Sequence, residues 1–142
     1  MKGIELIKFR ENGDSRGRLV IIEGLNDIPF DIKRIFYIYG SEEGVVRGQH
    51  ANRKSEFILI NVNGTSKVMV NNGWSKQVFI LDRPHMGIYL PRMTWKDMYD
   101  FSSDSILLVL ASEYYDSSEY ITDFGQFMQE VLYTRELSSI NL

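Results

Sequence analysis

Short segments in which hydrophobic residues alternate with polar ones, or form brief apolar runs, cover most of the chain. Such segments are typical of β-strands, and turn-forming residues separate them. Residues 11–17 are rich in turn formers and predict a loop. The close spacing of strand and turn signals indicates an all-β barrel or sandwich. The pattern predicts eight or more strands, which lie at residues 4–9, 18–23, 32–39, 57–62, 66–70, 76–81, 86–90, 94–101 and 106–111.

The pattern changes after the last predicted strand. Asp116 is followed three residues later by Glu119, as at the start of many helices. Beyond it, apolar and aromatic residues recur near helical spacing and predict a short C-terminal α-helix, with residues 134–142 frayed. The recurring residues are Tyr120, Phe124, Phe127, Met128 and Val131. No repeat or linker divides the sequence, so residues 1–142 are expected to form one domain.

Composition and charge exclude several classes of protein. The 16 basic and 19 acidic residues give a net charge of −3, which argues against a general nucleic-acid binder. The absence of cysteine excludes disulfides and thiolate metal sites. No apolar run approaches the roughly 20 residues of a membrane span, and the N-terminus lacks the apolar core of a signal peptide. We therefore expect a soluble cytoplasmic protein that binds neither nucleic acid nor membrane.

The densest run of polar and ionisable residues lies at residues 47–56 and continues into the apolar strand predicted at residues 57–62. A polar segment that leads into a buried strand places functional side chains on a rigid support. The run contains His50, one of the two histidines of the chain. Histidine is the side chain whose pKa suits general acid–base catalysis near neutral pH. His50 is therefore the first candidate for chemistry.

The residues around His50 follow the spacing of a known motif. Gly44 is followed by five residues and His50, Asn52 by three residues and Glu56, and Glu56 by seven residues and Gly64. To within one residue, this spacing resembles the first motif of the cupin family. That motif has the form Gly, five residues, His-x-His, three or four residues, Glu, six residues, Gly. The resemblance implies a cupin-type jelly-roll β-barrel.

Residues 91–96 align with the second cupin motif, Pro-x-Gly-x-x-His, but end in lysine instead of histidine. The four metal-ligand positions of cupins are therefore occupied by His50, Asn52, Glu56 and Lys96. A first-row transition metal prefers several imidazoles or carboxylates, and an ammonium group repels it. The substitutions predict a protein that works without a metal or another cofactor.

A set of short motifs, in a fixed order along the chain, makes the resemblance more specific. They include Ser15-Arg16-Gly17, Ile28-Pro29-Phe30, Tyr37-Ile38-Tyr39, Arg47-Gly48, His50-Ala51, Gly87-Ile88-Tyr89, Trp95 and Asp100-Phe101-Ser102. With them, the chain resembles the sugar 3,4-ketoisomerase family of small cupins, also called WxcM-like, over roughly residues 14–130.

The resemblance implies a metal-free isomerase that acts on a nucleotide-linked 4-keto-6-deoxy sugar, usually the thymidine diphosphate (TDP) form. The reaction moves the carbonyl group from carbon 4 to carbon 3 of the sugar. Its products feed the 3-amino sugars of surface polysaccharides. The resemblance also implies a homodimer in which strands are contributed across the interface.

Such a reaction needs a base that removes the acidic hydrogen beside the ketone, and hydrogen-bond donors that stabilise the resulting enediolate. His50 suits the base, and Asn52 and Tyr39 are further catalytic candidates. Tyr37 shares a strand face with Tyr39, because side chains in a strand alternate with a period of two. Arginines bind diphosphates through paired hydrogen bonds. The substrate-binding candidates are Arg16, Tyr37, Arg47, Lys54, Tyr89 and Lys96.

The chain departs from its relatives at two positions. Family members carry His-Ala-His where this chain has His50-Ala51-Asn52, and Trp-His where it has Trp95-Lys96. One histidine serves both carbons if it lies over the bond between them. Alternatively, the site performs an epimerisation beside the ketone, or it binds a nucleotide sugar without catalysis. His85 is a candidate for a compensating acid or base.

Overall fold

The computed structural model describes residue 1 and residues 3–140 of the chain. These residues form twelve β-strands, a 3₁₀-helix at Ser117–Glu119 and the α-helix α1 at Phe124–Ile140. The predicted all-β fold with a C-terminal helix is confirmed. The strands are β1 (Glu5–Lys8), β2 (Arg10–Asp14), β3 (Gly17–Ile21), β4 (Arg34–Tyr39), β5 (Arg47–Asn52), β6 (Phe57–Asn63), β7 (Ser66–Asn71), β8 (Lys76–Leu81), β9 (Met86–Leu90), β10 (Trp95–Tyr99), β11 (Ile106–Ala111) and β12 (Tyr120–Ile121).

Ten of the strands form two antiparallel five-stranded sheets. The first has the order β1-β9-β6-β11-β4 and the second the order β12-β5-β10-β7-β8, while β2 and β3 form a separate hairpin. Alternate side chains of both sheets meet in one buried core, with Leu59 and Val109 from the first and Val68, Val70 and Met98 from the second. Burial of this apolar surface holds the two layers together.

Each sheet also carries a smaller cluster on its other face. On the first sheet, Phe30 from the segment between β3 and β4 packs with Ile58 and Ile60, the residues that alternate with the central core positions. On the second sheet, Phe127 of α1 packs against Trp95 of β10. Within the described part of the chain, no helix is long and apolar enough to cross a membrane.

The loop predicted for residues 11–17 is wrong in most of its length. Arg10–Asp14 and Gly17–Ile21 pair as an antiparallel hairpin, so only residues 15 and 16 form the turn. The hairpin is largely exposed, and its strands therefore lack the hydrophobic alternation on which the strand prediction depends.

Two predictions near the C-terminus are also corrected. Asp116 caps the 3₁₀-helix and not the α-helix; α1 begins eight residues later, where the Asp123 carboxylate accepts a backbone N–H group of the first turn. Tyr120 belongs to β12 and not to the helix. Residues 134–140 continue α1 and are not frayed, whereas residues 141–142 lie outside the described residues.

Candidate active site

A cavity of about 220 Å³ lies between the two sheets, against strand β5. One wall is apolar and includes Phe57 and Leu59 of β6 and Val109 of β11. A cavity with an apolar body and a few convergent polar groups is the usual form of a small-molecule site. The polar residues that line it come from four strands and are Tyr37, Arg47, His50, Lys96 and Tyr120.

Strand β5 is irregular where it pairs with β10. Gly48 and Gln49 have positive φ angles of 85° and 54°, and the register of the pairing shifts between Lys96 and Asp97. Lys96 lies directly opposite His50 in this register. Because directly opposite residues of an antiparallel pair point to the same face, both side chains reach the cavity. Such irregularities commonly redirect side chains beside active sites.

The His50 ring has a defined tautomer. Its Nδ1 lies 2.8 Å from the carbonyl oxygen of Gly48. A carbonyl oxygen only accepts hydrogen bonds, so Nδ1 carries the hydrogen and Nε2 of the neutral ring is unprotonated. Burial, followed by the charge of Lys96, lowers the pKa of His50 to about 4, against the opposing effects of the Gly48 carbonyl and Glu119. At neutral pH the ring is therefore neutral, and Nε2 is a proton acceptor.

The Lys96 side chain is 3% exposed. Its Nζ lies 3.4 Å from Oδ1 of Asn52 and 4.2 Å from the centre of the Phe57 ring. Burial lowers the pKa of Lys96 to about 7, although the Glu119 charge opposes this shift. Near neutral pH, Lys96 can therefore donate a proton as the ammonium or accept one as the amine.

Glu119 provides a buried negative charge behind this wall of the cavity. Its carboxylate accepts hydrogen bonds from the Ser55 backbone N at 2.8 Å and the Ser55 Oγ at 2.7 Å. Burial raises the pKa of Glu119, but the hydrogen bonds outweigh it, so the pKa lies below its ordinary value. The Asn52 amide contributes to this lowering, although its Nδ2 forms no hydrogen bond of ordinary geometry. Asn52 thus lies between the Lys96 ammonium and the Glu119 carboxylate.

The family model described as FdtA: WxcM-like, C-terminal matches residues 2–132, which is most of the chain. The chain belongs to this family. A relative in Aneurinibacillus thermoaerophilus, TDP-4-oxo-6-deoxy-alpha-D-glucose-3,4-oxoisomerase, is 41% identical over 127 residues. The match covers 89% of this chain and 91% of the relative. The family predicted from the ordered motifs is confirmed.

Solved structures of family members have the same fold. The sugar 3,4-ketoisomerase QdtA of Thermoanaerobacterium thermosaccharolyticum, in complex with TDP, has a TM-score of 0.91 and 37% identity, covering 94% of this chain and 98% of QdtA. A 3,4-ketoisomerase of Helicobacter canadensis has a TM-score of 0.88 and 38% identity, covering 91% of this chain and 97% of the other. The predicted cupin-type jelly-roll barrel is confirmed.

In this member of the WxcM-like family, the cavity brings together four of the residues predicted from the sequence. His50 and Lys96 line its interior, Arg47 lines it from the exposed start of β5, and Tyr37 lines it from β4 while 60% exposed. Asn52 is 1% exposed and contacts Lys96 from behind. A direct contact between Asn52 and a ligand in the cavity is therefore not supported.

Four other predicted site residues lie away from the cavity. Tyr39 is 70% exposed and stacks on Tyr37. Arg16 is at the turn of the β2–β3 hairpin, beside a shallow groove of about 510 Å³, and pairs with Asp14 at 2.5 Å. The other two are Lys54, which is exposed in a surface depression, and Tyr89, which donates a hydrogen bond to Glu56.

These four residues miss the cavity for simple geometric reasons. Tyr39 shares the exposed face of β4 with Tyr37 but lies two residues further along the strand, beyond the part of β4 that lines the cavity. Lys54 follows the end of β5 and is no longer held by its pairing with β10. Tyr89 packs with the cluster on the other face of the first sheet. Residues 15 and 16 belong to a hairpin outside both five-stranded sheets.

Sequence reasoning missed Glu119 and Tyr120 as site residues. The Tyr120 ring centre lies 4.8 Å from that of His50, and β12 pairs with β5 so that Tyr120 lies opposite Asn52. Both residues were assigned to a helix because of the cap-like spacing after Asp116. His85 is also outside the cavity, with Nδ1 3.6 Å from the Glu11 carboxylate, so the structure does not support a compensating role for it.

Proposed function

We propose that this protein is a sugar-nucleotide 3,4-ketoisomerase, acting on a TDP-linked 4-keto-6-deoxy sugar. The observation that carries the proposal is the neutral His50, hydrogen-bonded through Nδ1 and opposite Lys96 in the cavity. The relatives at 37–41% identity support it, since they are named 3,4-ketoisomerases and QdtA was solved with TDP. The alternatives of an epimerase or a non-catalytic binding protein are not favoured by these comparisons.

His50 would act as the base. The carbonyl at carbon 4 acidifies the hydrogen on carbon 3, and Nε2 of the neutral ring removes it as a proton to give an enediolate. The oxygen on carbon 4 gains a proton and the oxygen on carbon 3 loses one. The imidazolium returns its proton to carbon 4, which leaves the carbonyl at carbon 3. Rate enhancements of about 10²–10⁴-fold are typical of one positioned acid–base group. No metal or organic cofactor enters the scheme, and its absence stays a prediction from the sequence.

Arg47 and Tyr37 are suited to hold the nucleotide diphosphate at the entrance of the cavity. The guanidinium forms paired hydrogen bonds with phosphate oxygens, and the exposed Tyr37 ring offers a surface for packing. A role in building surface polysaccharides, a cytoplasmic location and a single-domain organisation remain predictions.

The direct test is to incubate the purified protein with TDP-4-keto-6-deoxyglucose and to identify the product by proton NMR. We expect a 3-keto sugar, together with TDP binding in calorimetry. Binding without a product would support the non-catalytic alternative, and inversion of a ring carbon with the ketone retained at carbon 4 would support the epimerase. A protein that neither binds TDP nor converts the sugar contradicts the proposal.

We also propose that the protein is a homodimer that uses the exposed face of β4. Ile35, Tyr37 and Tyr39 form an apolar row on the strand at the end of the first sheet, and proteins usually cover such an edge. A second copy of the chain would cover it. The resemblance to the ketoisomerases, which implies dimers, supports this arrangement.

Light scattering in solution tests the homodimer. We expect twice the mass of one chain, and we expect Ile35→Glu to shift the protein towards one chain because it places a charge in the apolar row. Ile80→Glu is the matched control, since Ile80 is similarly exposed on β8, at the edge of the other sheet. A wild-type mass of one chain, or equal effects of the two substitutions, contradicts the β4 interface.

A further inference from the structure

Lys96 and Glu119, each 3% exposed, are the only buried residues with an ionisable side-chain charge among residues 1 and 3–140. They lie on either side of Asn52, beside the cavity. Burying a charge costs free energy unless partners compensate for it, and well-packed apolar residues are often as stable as a buried ion pair. Two buried charges next to His50 therefore suggest a catalytic use more than a structural one.

The surroundings of Lys96 leave it capable of donating to a ligand. An ammonium group has three N–H donors. Among the described residues, one acceptor, Asn52 Oδ1, forms a hydrogen bond with Lys96 Nζ, at the long distance of 3.4 Å. The Phe57 ring and the backbone of β10 fix the direction of the side chain. Because Lys96 pairs directly with His50, a ligand in the cavity lies within reach of both groups.

Glu119 is placed to control this ammonium group. Ser55 and the backbone N–H of Lys54 hold the carboxylate in place through hydrogen bonds, and Arg53 N donates to the Glu119 backbone oxygen. Asn52 lies between the carboxylate and Lys96, with its Oδ1 turned to Lys96. A second cation, Arg34, lowers the pKa of Lys96 by charge repulsion, whereas Glu119 raises it. Glu119 is the negative charge that offsets this repulsion.

We propose that Lys96 is the second catalytic residue of the isomerisation, and that Glu119, acting through Asn52, is the positioning residue that keeps Lys96 protonated. The proposal rests on the proposed ketoisomerase function. It also explains the departure at position 52, where an amide that lies between the two charges replaces the histidine implied by the family resemblance.

Two side chains, His50 and Lys96, carry all the proton transfers of the reaction. His50 Nε2 takes the proton from carbon 3, the electron pair of that bond forms the carbon 3–carbon 4 double bond, and the carbonyl oxygen on carbon 4 takes a proton from the Lys96 ammonium. The enediol then returns a proton from the oxygen on carbon 3 to the Lys96 amine. Carbon 4 takes the proton of the His50 imidazolium. Both side chains end in their starting states, and the carbonyl lies on carbon 3.

The proposal predicts a bell-shaped pH profile of kcat/KM. Activity needs a neutral His50, so it rises as the pH increases through the His50 pKa of about 4. Activity also needs the Lys96 ammonium, so it falls as the pH increases through the Lys96 pKa of about 7. Because His50 and Lys96 interact, the two apparent pKa values of the profile describe the pair of groups and not either residue alone.

The test is the basic limb of this profile in Glu119→Gln. Glutamine keeps the size and the hydrogen-bond acceptor but removes the charge that raises the Lys96 pKa, so we expect the limb to move down by about 1 pH unit. The rate at pH 8 then falls about 10-fold relative to wild type, while the rate at about pH 5 stays close to it. Glu119→Asp, which retains the charge, is expected to keep the limb near its wild-type position.

Glu130→Gln is the matched control, because Glu130 pairs with Arg53 at the protein surface, outside the cavity. An equal loss of activity at every pH in Glu119→Gln would indicate a structural role and overturn the proposal. NMR of labelled lysine in the wild-type protein gives a readout that does not depend on activity. A lysine that titrates near pH 7, and whose signal Lys96→Met removes, supports the proposal; titration of Lys96 only above about pH 9 contradicts it.

If the wild-type protein does not convert the sugar, the proposed function fails, and the catalytic role of Lys96 fails with it. If the wild-type protein converts the sugar but Lys96→Met retains full activity and TDP binding, only the inference about Lys96 and Glu119 fails.

Discussion

Glutamine in place of His50 is expected to lower the rate of 3,4-isomerisation by about 10²–10⁴-fold, while TDP binding stays near the wild-type level. Glutamine is close to histidine in size and keeps a polar side chain, but it has no nitrogen that accepts a proton as Nε2 of the neutral ring does. The substitution therefore removes the base and preserves much of the packing. Steady-state kinetics and calorimetry with TDP measure the two effects separately.

His85→Gln is the control for this substitution. His85 lies beside Glu11, outside the cavity, so its loss should change the rate by less than about twofold. A His50→Gln variant with wild-type activity would show that another group is the base. A His85→Gln variant with a large loss of activity would restore the compensating role that the structure does not support.

Alanine in place of Gly48 is expected to impair both stability and activity. The φ angle of Gly48 is +85°, and an added Cβ atom would lie 2.9 Å from the Lys96 carbonyl oxygen. The left-handed backbone costs about 1–2 kcal/mol for a residue with a Cβ atom, and the close contact adds about 1–3 kcal/mol of overpacking. Because the contact separates β5 from β10, it also moves His50 relative to Lys96, and a displacement of about 1 Å can lower the rate about 100-fold.

Gly44→Ala isolates the contribution of the contact. Gly44 has a φ angle of +82°, almost the same as that of Gly48, but no atom lies within 4 Å of its added Cβ. We therefore expect Gly44→Ala to lose only the backbone contribution and to retain wild-type activity. The free energy of unfolding of the two variants is measured by denaturant titration. Equal losses in Gly44→Ala and Gly48→Ala would show that the close contact between position 48 and the Lys96 carbonyl oxygen does not destabilise the protein.

Much of the fold was predictable, because burial imposes a period of two on strands. Phe57 and Leu59 lie in the central core and Ile58 and Ile60 on the other face, as the apolar run of β6 requires for a strand covered on both sides. The β2–β3 hairpin was not predictable from hydrophobic pattern, since its exposed strands bury little. The start of α1 was misplaced because an Asp followed by an acid three residues later occurs at 3₁₀-helices as well.

The candidate site was only partly predictable. The motif spacing led to His50. The period of two placed Tyr37 and Tyr39 on one face of β4 but does not say which of them lines the cavity, and so Tyr39 was taken as catalytic. The burial of Lys96 depends on its pairing with β5, since lysine is rarely buried in proteins. Glu119 reaches the site only through the 3₁₀-helix and the return of β12 to β5. Such partners come from tertiary structure and leave no local signal.

The central claim is that His50 moves a proton between carbon 3 and carbon 4 of a TDP-linked keto sugar. Proton NMR of the reaction in deuterated water tests it most directly, with wild type and His50→Gln compared under the same conditions. With wild type we expect a 3-keto product that carries deuterium on carbon 4 to the extent that the His50 imidazolium exchanges with water before the transfer, and with His50→Gln we expect neither. A wild-type protein that binds TDP but shows no exchange and no 3-keto product contradicts the account, as does full exchange in His50→Gln.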